Sequence, residues 1–62
     1  MKYTLRGARV CSGMTQMEVA KELAVAHTTI VNWEKDVGSV KFKYILKLCK
    51  LYKIKPNDLK ID

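Results

Sequence analysis

Residues 14–34, MTQMEVAKELAVAHTTIVNWE, carry two helical periods separated by only three residues, Ala24-Val25-Ala26. A break that short lets the chain turn but not travel, so the two helices must meet beside the turn. Thr15 is the expected N-cap of the first, and Glu18 stands three residues later, the spacing of a capping box. Val19, Ala20 and Leu23 fall on one stripe of that helix, with Glu18, Lys21 and Glu22 opposite. The second helix is expected over 27–35. Ile30 and Trp33 share its inner face; Thr28, Val31, Asn32 and Lys35 share the outer one. Ala20 is small enough to let two backbones approach, and Val25 can plug the wedge between them.

The remaining punctuation is sparse. Thr4 can cap a helix over 4–12, with Gly13 where a left-handed C-terminal residue is wanted. A loop over 36–41 carries Gly38 and Ser39, and a further helix is expected over 42–52. Its expected core stripe is Phe42, Ile45, Leu46, Cys49 and Tyr52, with Lys43, Lys47 and Lys50 clustered towards solvent. Pro56 suits the first turn of a short terminal helix or 3₁₀ turn reaching Leu59. β-Branched alternation is nowhere sustained. The fold class is therefore all-α: a compact bundle of four to five short helices in one domain over 1–62, with no sheet.

Composition narrows the function. A chain of 62 residues buries only about 60% of its unfolded surface, which leaves no room for a multi-element enzyme with a cofactor domain. No paired carboxylates, nucleophile–base pair or phosphate-cradling glycine loop is visible, so the expectation is no enzyme, no cofactor and no small-molecule substrate. His27 has no second ligand at metal-binding spacing, so no metal is expected either. No apolar run is long enough for a membrane span, and no secretion signal is visible. Cys11 and Cys49 are then free thiols in a reducing cytoplasm, read as small buried hydrophobes. The net charge is +6, and residues 41–55 hold six lysines and no acid. Such an excess points to a polyanion, most often nucleic acid; the alternative is a solvated face that only aids solubility.

The pattern Leu5, Ala8, Arg9, Gly13, Met14, Thr15, Gln16, Glu18, Val19, Ala20, Leu23, Val25, Thr29, Ile30, Trp33 and Glu34 resembles the lambda-repressor-like, Cro/C1-type helix-turn-helix family over about residues 5–59. The downstream run 45–50 and Leu59 fit the same family. The resemblance implies a helix-turn-helix at about 15–35 and a set of roles. His27, Thr28, Val31 and Asn32 would read bases in the major groove, Asn by pairing with adenine and Thr or Val by touching a thymine methyl. Gln16 would reach a phosphate from a helix start. Lys35, Lys41 and Lys43 border the following loop as phosphate candidates, with Gly38 and Ser39 offering backbone N–H groups. Arg9 and Glu34 would pair across two helices, a structural role. Lys47 and Lys50, further along, read as general field charge.

Four positions depart from the family pattern. Ala24 stands where Gly is common, Ala26 and Lys41 where a hydroxyl cap is usual, and Lys53 where Gly usually follows the helix. These touch stability rather than function. The expected function is a double-stranded DNA-binding transcription regulator, closer to the Cro type than to a two-domain repressor, from a phage or mobile element. It would bind a palindromic operator as a weak homodimer, with Tyr44, Leu51, Ile54 and Ile61 as a possible dimer patch; packing beneath the C-terminal tail is the alternative for those residues. The alternative function is a protein-interaction module, such as an antitoxin-like partner-binding protein.

Overall fold

Capping chemistry sets where each helix begins. In the computed structural model, which describes residues 2–60, α1 spans Leu5–Cys11, α2 Gln16–Leu23, α3 His27–Lys35 and α4 Phe42–Tyr52. Thr4 Oγ1 accepts the Gly7 N–H ahead of α1. Ahead of α2 the capping box is complete: the Glu18 N–H donates to Thr15 Oγ1 and the Thr15 N–H donates to the Glu18 carboxylate. Those Thr15 hydrogen bonds hold the Glu18 carboxyl below its usual pKa. Ala26 and Lys41 precede α3 and α4 without a side-chain cap. Short 3₁₀ turns at Val37–Ser39 and Pro56–Asp58 complete the helical elements.

Among the described residues three hold left-handed backbone: Gly13 at φ 72°, Ala24 at φ 55° and Lys53 at φ 59°. Gly13 does so freely. Ala24 and Lys53 carry a Cβ there, a strain of about 1 kcal/mol or more each. At both places the geometry ends a helix: the Ala24 and Val25 N–H groups close back on Lys21 and Ala20, and those of Lys53 and Ile54 on Lys50 and Cys49.

The core is built from Leu5, Ala8, Val19, Ala20, Ile30, Trp33, Val40, Ile45, Leu48, Cys49, Tyr52 and Leu59. Tyr3, Met14, Leu23, Val25, Val37, Tyr44, Leu51 and Ile54 pack against it, partly buried. No helix among the described residues is long and apolar enough to cross a membrane. One contact joins the chain ends: Tyr3 N–H donates to Asp58 O at 2.6 Å and Lys60 N–H to Tyr3 O at 2.7 Å, an isolated parallel bridge beside Leu59. It is the one pairing of strand type among the described residues.

The structure corrects the expected face of α4. Phe42 is 68% exposed and Leu46 44%, while Leu48 is 2% exposed. The buried arc is Ile45, Leu48, Cys49 and Tyr52, centred opposite the arc of Lys43, Lys47 and Lys50. Cys11 is corrected too: it is exposed, and only Cys49 is buried. Burial pushes the Cys49 thiol up, with the Asp58 charge adding to the shift. Tyr44, Leu51 and Ile54 keep only their outer edges open, and Ile61 lies outside the described residues.

Burial predicts which α4 truncations hurt. Leu48→Ala should cost roughly 2–5 kcal/mol, most of what a domain this small holds. Phe42→Ala and Leu46→Ala should each stay within about 0.5 kcal/mol. Chemical denaturation of the three variants measures this, and a costlier Phe42→Ala would refute the burial order.

Candidate nucleic-acid interface

The outer face of α3 is held by one chain of hydrogen bonds that begins in α1. Arg9 Nε donates to Glu34 Oε2 at 2.7 Å, and Arg9 Nη1 donates to Met14 O at 2.8 Å. The two side chains are only 13% and 7% exposed. The second Glu34 oxygen, Oε1, accepts Gln16 Nε2 at 3.0 Å, and Gln16 Oε1 lies 3.2 Å from His27 Nε2. The chain therefore ties α1, the turn before α2, the first turn of α2 and both ends of α3.

Donor and acceptor rules fix the orientation of each group in turn. An ionised carboxylate only accepts, so the Gln16 NH₂ must face Glu34. The Gln16 carbonyl oxygen then faces His27, and an acceptor there requires a proton on His27 Nε2. In the neutral ring this leaves Nδ1 as an acceptor, suited to the amino group of adenine or cytosine. The second hydrogen on Gln16 Nε2 is not needed by Glu34.

His27, Thr28 and Asn32 are exposed, and Val31 is half-buried. Val31 lines a hollow of about 350 Å³ with Arg6, Arg9, Gln16, Glu34 and Lys35. The fold thus brings Gln16, Val31 and Lys35 together, with Arg9 and Glu34 as the hollow's floor. Arg6 is exposed at the same hollow and was not expected there. Its signal was the three-residue spacing from Arg9, which puts both on one face of α1.

The loop after α3 is tighter than expected. Ser39 gives its N–H and its hydroxyl to Asp36 O, at 3.1 and 2.8 Å. Both Ser39 donors are therefore committed within the loop, and Gly38, Lys41 and Lys43 are the exposed groups that remain around it. Behind them the Trp33 and Tyr44 rings lie 5.0 Å apart at 41°. The Lys43 and Lys47 ammonium groups sit 5.2 and 5.5 Å from the Tyr44 ring centroid. Such contacts steady long lysine chains by about 0.5–1 kcal/mol. Among the described residues no group of three or more His, Cys, Asp or Glu could hold a metal ion.

A family model described as helix-turn-helix matches residues 5–59. No curated protein and no solved structure was found to match.

Two outcomes test the hydrogen-bonded chain. Glu34→Ala strands Arg9 and should cost roughly 3 kcal/mol, whereas Gln16→Ala should cost under about 1 kcal/mol; denaturant midpoints compare them. Tyr52 supplies the second. Burial, then the Glu34 charge, with Arg9 opposing, pushes its phenol up to about 12 from 10.0. A folded-state pKa above the unfolded one leaves stability intact below pH 10. It should fall by roughly 2–3 kcal/mol as pH rises from 10 to 12. Melts of wild type and Tyr52→Phe over that window should diverge, the variant losing less.

Proposed function

The chain belongs to the Cro/C1-type helix-turn-helix family of DNA-binding regulators, and on that premise we propose that it is a sequence-specific transcription regulator of a phage or mobile element. It represses by binding a palindromic operator as a dimer, with α3 in the major groove. The observation that supports this reading best is the α3 face itself. Three exposed polar side chains, His27, Thr28 and Asn32, stand on a helix whose inner face is locked by Ile30 and Trp33 and whose His27 ring is oriented from below. Pre-oriented polar groups on a rigid helix suit base reading, where each bidentate contact discriminates by about 1–3 kcal/mol.

Each remaining residue then has a proposed role. Asn32 pairs with adenine, His27 accepts from a base amino group through Nδ1, and Thr28 and Val31 supply methyl contacts. Gln16, Lys35, Lys41, Lys43 and the Gly38 N–H position the phosphates, joined by Arg6. Arg9 neutralises Glu34, which would otherwise repel the backbone. In the dimer Tyr44 is committed to Trp33 and Leu51 lies in a groove against α2, which leaves Ile54 as the proposed contact between copies among the described residues.

Asn32→Ala and Thr28→Ala should each weaken operator binding by about 1–3 kcal/mol with an unchanged melting temperature. Titrations on operator and on random duplex measure this; equal losses on both would sink the base-reading role.

Salt dependence tests the phosphate set separately. With four cationic contacts per copy, Lys35, Lys41, Lys43 and Arg6, a dimer neutralises about eight phosphates, and log affinity should fall against log salt with a slope of roughly −7. Lys41→Ala or Lys43→Ala should flatten it by up to about 2, with little change in sequence preference. Lys50→Ala should change it less, and a larger effect there would move the docking face.

A further inference from the structure

A second concave surface lies between the C-terminal ends of α2 and α4. It is a groove of about 660 Å³, within the range of ligand clefts, about 300–1,000 Å³. Its apolar floor is formed by the half-buried Leu23 and Leu51, with the exposed methyl of Ala24 beside them. Its rim carries Lys47, Lys50 and Lys53, against the single carboxylate of Glu22.

The proposed DNA contacts do not account for this groove. Lys50 stands seven residues beyond Lys43 on α4, about 10 Å along the axis from the end that borders the loop. Both bounding helices terminate at the groove, α2 at Leu23 and α4 at Tyr52. They turn their carbonyl ends and the negative ends of their dipoles towards it. A phosphate backbone makes no use of an apolar floor, and the rim lysines offset the helix dipoles for an anion of either kind. A polypeptide uses both parts, its apolar side chains the floor and its carboxylates the lysine rim.

Backbone strain coincides with the same place. Among the described residues the non-glycine positions with positive φ are Ala24 and Lys53, and both line the groove. Glycine would relieve either one, yet the chain keeps a methyl on the floor and an ammonium on the rim. A lysine in the last turn of α4 could serve only to offset the helix dipole, which would account for Lys50 but not for Ala24 or Lys53.

We propose that the groove between α2 and α4 binds a short acidic segment of a partner protein, seating one or two bulky apolar side chains on Leu23, Ala24 and Leu51 and pairing its carboxylates with Lys47, Lys50 and Lys53. This surface is separate from the α3 face, so a regulator bound to DNA presents it to solvent and can be held or released through it. The proposal does not depend on the DNA reading.

The test is an NMR titration of the full chain with a synthetic peptide of glutamates interrupted by two leucines. Controls are the same peptide with serine for leucine, and a DNA duplex. The glutamate–leucine peptide should shift Leu23, Ala24, Lys50 and Leu51 amides saturably. The serine peptide and the Lys50→Glu variant should each bind about tenfold more weakly or worse. Lys53→Gly should raise the melting temperature while weakening the peptide, separating strain from recognition. Four results would overturn the proposal: no saturable shift, equal binding of both peptides, the same amides moved by the duplex, or the same amides moved by concentrating the protein alone. Loss of duplex shifts at His27 and Asn32 would count against the DNA reading and leave the peptide result standing.

Discussion

The Arg9–Glu34 ion pair organises the molecule. Two opposite charges that retain only 13% and 7% of their exposure have given up most of their hydration. Such a pair holds only when its remaining donors and acceptors are satisfied, because desolvation otherwise outweighs the Coulombic gain. Here they are: Arg9 also serves Met14 O, and Glu34 also accepts Gln16. The requirement that makes the pair tolerable therefore sets the register of α1 against α3 and the orientation of Gln16. Through Gln16 it also sets the protonated nitrogen of His27. A stabilising contact at one end of the chain becomes an orienting contact at the other.

Elsewhere the fold makes do with poor local choices. Two helices start without a side-chain cap, and two end on a left-handed residue that is not glycine. Each omission costs about 1 kcal/mol in a domain with little to spare. Offsetting them are the closely packed Ile30, Leu48, Leu59 and Val19, and the bridge from Tyr3 to Asp58 and Lys60 that anchors the final turn. At Ala24 and Lys53 the strained backbone closes the ends of α2 and α4 with hydrogen bonds back to their last turns.

Much of this was legible in the sequence because it is local. Thr15 and Glu18 announce the capping box, and the three-residue break places α2 and α3 within a residue of their observed bounds. The core face of α4 was misread for a physical reason. Its apolar residues, Phe42 through Tyr52, cover a wider arc than the core can bury, so hydrophobic periodicity alone does not locate the centre. Reflecting the lysine arc across the helix axis selects Leu48 over Phe42 and Leu46 correctly, since charges must face water. The Tyr3–Leu59 bridge pairs residues at opposite ends of the chain and leaves no local trace. The commitment of Ser39 to Asp36 and the contact between Gln16 and His27 depend on three-dimensional placement for the same reason.

Selection of duplexes from a random-sequence pool, run in parallel with wild type and Asn32→Ala, tests the central claim that the α3 face reads DNA. The account predicts a two-fold-symmetric motif for wild type, and for the variant the same motif with preference relaxed at one base pair per half-site. A pool that stays random although the protein binds it would contradict the account, because binding would then rest on charge alone.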